Sequence, residues 1–520
     1  MEQELPALAL EVLGSVCPSL VQPVPSMTVA QFALDPGQGK VTAGFEIPKG
    51  TSVYAQTLEH QECRFTTACD ATLWPLHIPQ ATLDADGMLR LELACNAEVD
   101  FSELDIDRLC LHLQGDMSLS MALYDALVSG VVSIHVQPEG GARRQLPLKS
   151  WRQLGFDASF QALPIPEHAQ PALGLLQEYF AFPRKFHFFE LSGLKGLLGR
   201  GRNCALVLQL QHAAHALRKL DASNFALGCV PIVNIFSRTS EPLLVDHKHY
   251  EYLLIADRQR DSHTQVHSIL KVTASDPSQD KPTELTPFGA ASHVGMERET
   301  VLWSARREAS LRPRIAGTDV FLSFVDAQRA VRSMGSTVVY AQVLCTNRKL
   351  AQQVPRRARL VAEGPAQPTV ARVLYEPSVE RDPPLESDAL WQLHSLLTLN
   401  HLSLLHSSDG VLRLRELLGL FAADSQRDHA QIKAISALKA HNVAAHIGQQ
   451  AWRGFCRGTQ INLEFDEASY VGGSSLLMSA VLAHFFAMYT AMNSFVRVAA
   501  VRGGEVRKQW EPMTGRQLVL

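Results

Sequence analysis

The stretch from Pro171 to Phe188 constrains the fold more than any other, because a helical period runs there directly into an aromatic strand period. Pro171 suits the first turn of a helix, where its missing N–H is not needed. Ala172, Leu175, Leu176 and Tyr179 then fall at i, i+3, i+4 and i+7, which predicts a helix with one apolar face. Pro183 lacks the donor to continue that helix and disfavours helical geometry at Phe182, so the helix is expected to stop there. Beyond it, Phe186 and Phe188 alternate with Lys185 and His187 as in a half-buried strand. The stretch is therefore expected to form a packed helix-to-strand corner whose rings join a core rather than a ligand platform.

A chain of 520 residues exceeds what one core supports, so roughly two to four domains are expected. With 46% hydrophobic and 19% charged residues it is globular, not a disordered or acidic solvating chain. The net charge of -4 provides no field for phosphate backbones, which argues against a nucleic-acid binder, and the pairs Arg306-Arg307 and Arg356-Arg357 read as solvated surface. The nine cysteines contain no Cys-x-x-Cys pair and suit buried, inert thiols in a reducing cytoplasm. The start, Met1-Glu2-Gln3-Glu4, has no basic region, so export by the general route is not expected.

From Val471 to Val496 the chain holds no Asp, Glu, Lys or Arg, enough length to cross a hydrocarbon layer of ~30 Å. Ser474, Ser475, Ser479, His484, Thr490, Asn493 and Ser494 would need partners in lipid, so a buried helix is expected instead. Gly472-Gly473-Ser474-Ser475 reads as its entry turn and N-cap.

Organisation along the chain points to an α+β, multidomain protein. Residues 1–22 read as a short helix, and Pro23 and Pro25 then force an extended entry into a β-rich domain over 23–150. Within it, Leu89, Leu91 and Leu93 alternate after the turn Asp86-Gly87, Ile47-Pro48-Lys49-Gly50-Thr51 is a second turn, and Gly140-Gly141 marks a break. A mixed, β-rich middle domain spans 151–370, with strands at Val266 to Val272, Val320 to Phe324 and Val338 to Leu344 and an exposed loop from Asp276 to Pro287. Both regions are expected to be β-sandwich-like. Residues 371–520 are expected to be mainly helical, from the spacing of Leu390, Leu393, Leu397 and Leu404 behind a cap at Ser387 or Asp388, with one strand through Ile461, Leu463 and Phe465.

Motifs that carry chemistry are missing from the sequence. There is no phosphate loop, the glycines at 193, 196, 199 and 201 do not make a dinucleotide fingerprint, and Gly472-Gly473-Ser474-Ser475 is not a nucleophile elbow. His247 with His249, and His212 with His215, each supply at most two metal ligands and no third. Asp105, Asp107, Glu464 and Asp466 are acid/base candidates only by proximity in sequence. The sequence thus predicts no catalytic, cofactor-binding or metal-binding residues, and no enzyme.

A series of short motifs, in order, resembles the TssF (VasA/ImpG) family of type VI secretion baseplate subunits. It comprises Pro23, Pro25, Ser26 and Met27; Cys63-Arg64-Phe65; Leu73-Trp74-Pro75; Pro231-Ile232-Val233-Asn234-Ile235-Phe236 with Glu241-Pro242; and Cys345-Thr346-Asn347-Arg348. Leu399-Asn400-His401-Leu402-Ser403-Leu404, Phe485-Phe486, Asn493-Ser494-Phe495 and Trp510-x-Pro512-x-x-Gly515 complete it. Family members begin with a further helical region ahead of the segment equivalent to Glu4-Leu5-Pro6-Ala7-Leu8, and residues 1–22 are read as its remnant. In the family those helices help bind TssG. The resemblance implies a structural part of the phage tail-like contractile injection machine, not a catalyst. It implies a wedge of two TssF copies with one TssG, joined by TssK and the sheath initiator TssE around the VgrG spike hub, so that contractile tail assembly can start. The location implied is cytoplasmic, at the inner face of the bacterial inner membrane, with membrane contact only indirect through TssK and the membrane complex. The alternative is a β-domain glycan-binding protein or hydrolase using Trp74, Trp151 and Trp452 as platforms.

Overall fold

The computed structural model describes residues 13–515 except 15–16, 35–40, 97–98, 167–168, 170, 212–214, 247, 276–280, 289–300, 314, 327–336, 364–368, 386–408, 423–424, 447–454, 469 and 471. Its longer helices are α1 (Met117–Ser129), α2 (Pro171–Ala181), α3 (Gly410–Gly419), α4 (Gln426–Lys433) and α5 (Ser475–Tyr489). They pack among several β-sheets, so the α+β class holds.

At the corner, α2 begins at Pro171 and ends at Ala181, where the Phe182 N–H donates to the Glu178 carbonyl at 2.9 Å. A 3₁₀ turn, Pro183–Phe186, separates it from the strand Phe188–Ser192. That turn breaks the alternation and corrects the sequence reading: Lys185 and His187, expected toward solvent, are buried. The turn carries Lys185 back along the helix, where its ammonium donates to Glu178 Oε2 and to the Gly155 carbonyl at 2.9 Å. Glu178 Oε1 accepts the N–H groups of Ala162 and Leu163 at 2.7 and 2.8 Å, so both charges are fully engaged. Helix α2 is buried on every face from Ala172 to Tyr179 because it lies against α5.

Residues picked out by alternation form strands as expected. Met88–Cys95 alternates buried and half-buried residues behind the Asp86-Gly87 turn, at the heart of an antiparallel sheet ordered 144–146, 131–138, 203–210, 88–95, 76–83. Gly140-Gly141 is the hairpin turn between two of its strands. Trp151–Gln153, Phe188–Ser192, Arg108–Leu113 and Phe225–Ala226 make a second antiparallel sheet. Where sandwich-like packing was expected, a closed barrel stands, in the order Met27–Leu34, Cys229–Val233, Glu62–Thr67, Ser52–Gln56, Arg359–Ala362, Thr369–Val373. A larger sheet holds the expected strands as Gln265–Ser275, Thr318–Asp326 and Thr337–Thr346. The end of the expected Asp276–Pro287 loop is also a strand, Thr283–Pro287, paired with 265–275 and 301–309.

The expectation of a mainly helical C-terminal region is corrected. Besides α3, α4 and α5, its described residues build a sheet from Ile435–His446, Phe455–Phe465, Ser494–Arg502, Glu505–Gln509 and Met513–Thr514. The helix expected from Ser387 and most of the N-terminal helix lie outside the described residues. Helix α5 is the charge-free segment: Ser474 caps it by accepting the Leu477 N–H at 2.8 Å, and nearly all its residues are buried. Ser479 and Thr490 return their hydroxyls to the carbonyls of Ser475 and Phe486, each at 2.8 Å, which meets their polar demand within the helix. No helix among the described residues is long and apolar enough to cross a membrane. One apolar cluster joins Leu13, α1, α2, α5 and the C-terminal sheet as far as Trp510.

Candidate functional site

Four residues from three motifs, Arg64, Asn234, Asn347 and Arg348, meet where the barrel passes into the larger sheet. The chain leaves the barrel strand Cys229–Val233 through Asn234 and enters the sheet strand Phe236–Thr239; it returns from Thr337–Thr346 through Asn347 toward the barrel strand Arg359–Ala362. Both crossings are pinned at one point. Asn234 Nδ2 donates to the Arg64 carbonyl at 2.5 Å and to Asn347 Oδ1 at 2.8 Å, while the Asn347 N–H donates to Asn234 Oδ1 at 2.7 Å. Asn347 Oδ1 also accepts the Arg64 N–H at 2.8 Å, and the Asn234 N–H donates to the Ser26 carbonyl at 2.8 Å. Both asparagines are buried, so each amide is held by the fold in one orientation.

Arg348 adopts a left-handed backbone, φ 51°, and its buried guanidinium donates to the carbonyls of Asp261, Thr264 and Ala316 and to Gln265 Oε1. Gly317 allows this approach: a Cβ there would sit 2.3 Å from Gln265 Oε1, and its φ of +99° suits only glycine. Arg307, expected at the surface, is instead half-buried in the same seam. It donates to the carbonyls of Val266 and His267 at 3.0 and 2.6 Å and to Thr318 Oγ1 at 2.7 Å. Burial lowers its pKa to about 10, and burial likewise lowers that of Arg348. Glu380 accepts the Thr346 hydroxyl at 3.0 Å, and burial raises its carboxyl to about 7. The family resemblance marked Arg64, Asn234, Asn347 and Arg348 but not Arg307 or Glu380, whose shielding from solvent depends on a sheet that local pattern does not reveal.

A second buried polar cluster lies behind the corner. His112 and His187 stack with ring centroids 6.5 Å apart, and His112 Nε2 lies 3.0 Å from Tyr375 Oη. Burial, followed by the nearby Arg184, lowers His187 to about 3; burial and then His187 hold His112 well below its ordinary value, so both rings are neutral.

The remaining candidates stand apart. Asp246 Oδ1 accepts from Tyr252 Oη at 3.1 Å and faces His249 Nδ1 at 3.4 Å; His247, His212 and the side chain of His215 lie outside the described residues. Asp105 pairs with Lys195 at 2.9 Å, and Asp466 accepts the Ala468 N–H at 3.2 Å, so these carboxylates serve local contacts. Among the described residues no cluster of three or more His, Cys, Asp or Glu side chains is placed to hold a metal ion. All nine cysteines are free thiols. Trp151 stacks on Phe189, centroids 5.1 Å apart, and donates to the Leu127 carbonyl, so it is no open platform; Trp452 lies outside the described residues. Trp74 lines an open cleft of about 480 Å³ with Gln31, Cys69, Arg108, Cys110 and Glu190.

The polar groups gathered where the barrel passes into the larger sheet hold two β-units together, an architectural role within the fold. The family model described as "Type VI secretion system, TssF" matches residues 1–517, and the chain belongs to that family. The type VI secretion system component TssF1 of Pseudomonas aeruginosa is 30% identical, over 99% of this chain and 89% of that protein. A chain in the cryo-electron microscopy structure of a type VI secretion system TssK-TssF-TssG baseplate subcomplex is similar with a TM-score of 0.82 at 23% identity, covering 99% of this chain and 96% of that one. A chain of a second structure, the baseplate complex from the type VI secretion system, gives 0.64 at 20% identity, covering 100% and 90%.

Proposed function

We propose that this chain is a structural wedge component of the type VI secretion baseplate. In this reading two copies assemble with one TssG, bind TssK and TssE, and surround the VgrG hub, so that contractile tail assembly can begin. The reading places the protein in the cytoplasm at the inner face of the inner membrane, with membrane contact only through TssK and the membrane complex. The observation that carries it is family membership along almost the whole chain, together with the likeness of its fold to a chain of a TssK-TssF-TssG subcomplex. A wedge part works through large complementary surfaces, and a rigid seam between barrel and sheet supports that work by fixing how those surfaces are presented. Co-expression with TssG and TssK from the same genome, affinity purification and mass determination test it. A soluble complex with two copies of this chain per TssG is expected. Purification of this chain without either partner would refute the reading.

A further inference from the structure

In the C-terminal sheet, strands Ile435–His446 and Phe455–Phe465 pair along their whole length, from Ile435 opposite Phe465 to His446 opposite Phe455. The second strand is covered on its far side, where Arg457 to Glu464 pair in parallel with Ser494–Arg502. The first is not: among the described residues no strand pairs with its outer edge. At the root of that edge the Arg415 guanidinium donates to the carbonyls of Lys433 and Ile435, each at 2.8 Å. In an antiparallel strand every second residue turns its N–H and C=O away from its partner, so Ala437 to Ala445 present a row of backbone donors and acceptors outward.

This edge is only lightly protected, since its one bulge lies at the root, between Ile435 and Ala437. Over its length it carries no proline and a single lysine, Lys439, and Ala437, Ala440, Ala444 and Ala445 leave room for a neighbouring backbone. None of the residues from Lys439 to Ala445 is buried. The strand's own charge has one sign: Ile435–His446 contains Lys439 and no Asp or Glu, with Arg457 on the paired strand and a single carboxylate, Glu464, opposite Ala437 at the root. A long, uncapped, cationic edge of small residues suits a strand that supplies backbone pairing and carboxylates together.

We propose that Ile435–His446 is a docking edge on which a partner protein of the assembly lays an extended acidic segment as an added β-strand. This rests on the baseplate reading above. The test is amide hydrogen exchange on the full chain, alone and in the complex purified with co-expressed TssG and TssK, with the mass of the complex measured in parallel. Alternate amides between Ala437 and Ala445 are expected to exchange quickly in the free chain and to slow by about tenfold or more in the complex. The double variant K439E/H441E changes only exposed side chains. It is expected to abolish that slowing while the amides of α5 keep theirs. A complex of the expected mass whose edge exchanges as in the free chain overturns the proposal and leaves the assembly reading intact. A chain that forms no complex overturns both. Protection that grows with concentration in the isolated chain assigns the edge to a second copy and overturns the acidic partner, as does protection in the complex that survives charge reversal.

Discussion

The pair Lys185–Glu178 offers a sharp test of how the corner is held, because its side chains are only 1% and 2% exposed. Replacing Lys185 with Met keeps the apolar stem but leaves the Glu178 carboxylate buried without its cation, at a cost of about 3–5 kcal/mol. Glu178→Gln keeps an Oε1 acceptor for the N–H groups of Ala162 and Leu163. It sets an amide against the ammonium, leaving a buried charge unpaired, and is expected to cost about 3–5 kcal/mol as well. The double variant removes both charges and retains both accepted N–H groups while losing the Lys185 bond to the Gly155 carbonyl and the ammonium's place over the Phe186 ring, so about 1–2 kcal/mol is expected. Urea unfolding of the four proteins, followed by near-ultraviolet circular dichroism, should therefore return a coupling of at least about 3 kcal/mol. Single effects that simply add in the double variant would show that the two charges are not tied to each other and refute the reasoning.

Three further outcomes are expected. Burial holds His187 and His267 at about 3 and His112 well below its ordinary value. The unfolded chain then binds protons that the fold refuses, and their stabilisation, complete above pH ~6.5, falls by about 1.4 kcal/mol per group per pH unit toward pH 3. Asp125, raised to about 6, and Glu380, raised to about 7, act oppositely, since the fold keeps protons that the unfolded chain releases. The two senses partly cancel, with the histidines on the larger side; thermal melts from pH 6.5 to 5 should show a loss of stability, and His187→Phe should make that slope shallower. Gly515→Ala would put a Cβ 2.1 Å from the Ala491 carbonyl oxygen; lifting of the strand Met513–Thr514 from Ser494–Arg502, at about 1–3 kcal/mol, should appear as faster amide exchange in that partner strand. Ser474→Ala removes the cap of α5 and the hydroxyl bound to Asp125, and should lower stability by about 2–3 kcal/mol; a melting temperature equal to wild type would remove the cap from the account.

Much of the local structure was legible because it rests on near neighbours. Pro171 and Pro183 bracket α2, Leu89, Leu91 and Leu93 mark one sheet face, and Ser474 starts α5 where the sequence placed the cap. Lys185 and His187 were misassigned because alternation describes a strand, and the 3₁₀ turn that swings both inward has no period of its own. Ile435–His446 escaped notice because Leu438, Lys439, Ala440, Ala444 and Ala445 are good helix formers, and pairing with Phe455–Phe465 overrides that preference. At the seam, the motif residues Arg64, Asn234, Asn347 and Arg348 were visible in the sequence. Their convergence was not, since the barrel and sheet that bring them together are made by contacts between distant segments.

The barrel closes between Met27–Leu34 and Thr369–Val373, with Val24 and Arg381 exchanging backbone hydrogen bonds at its mouth and the Met27 N–H donating to Ser378 Oγ across a separation of 351 residues. On the ribosome, at roughly 5–20 residues per second, the first strand waits on the order of tens of seconds for the last. That apolar strand has two unsatisfied edges until Cys229–Val233 is made and one thereafter, and the cell must shield it or synthesise past it. The yield of folded chain should therefore depend on elongation speed and chaperone supply upstream of codon 369, independently of how stable the finished barrel is.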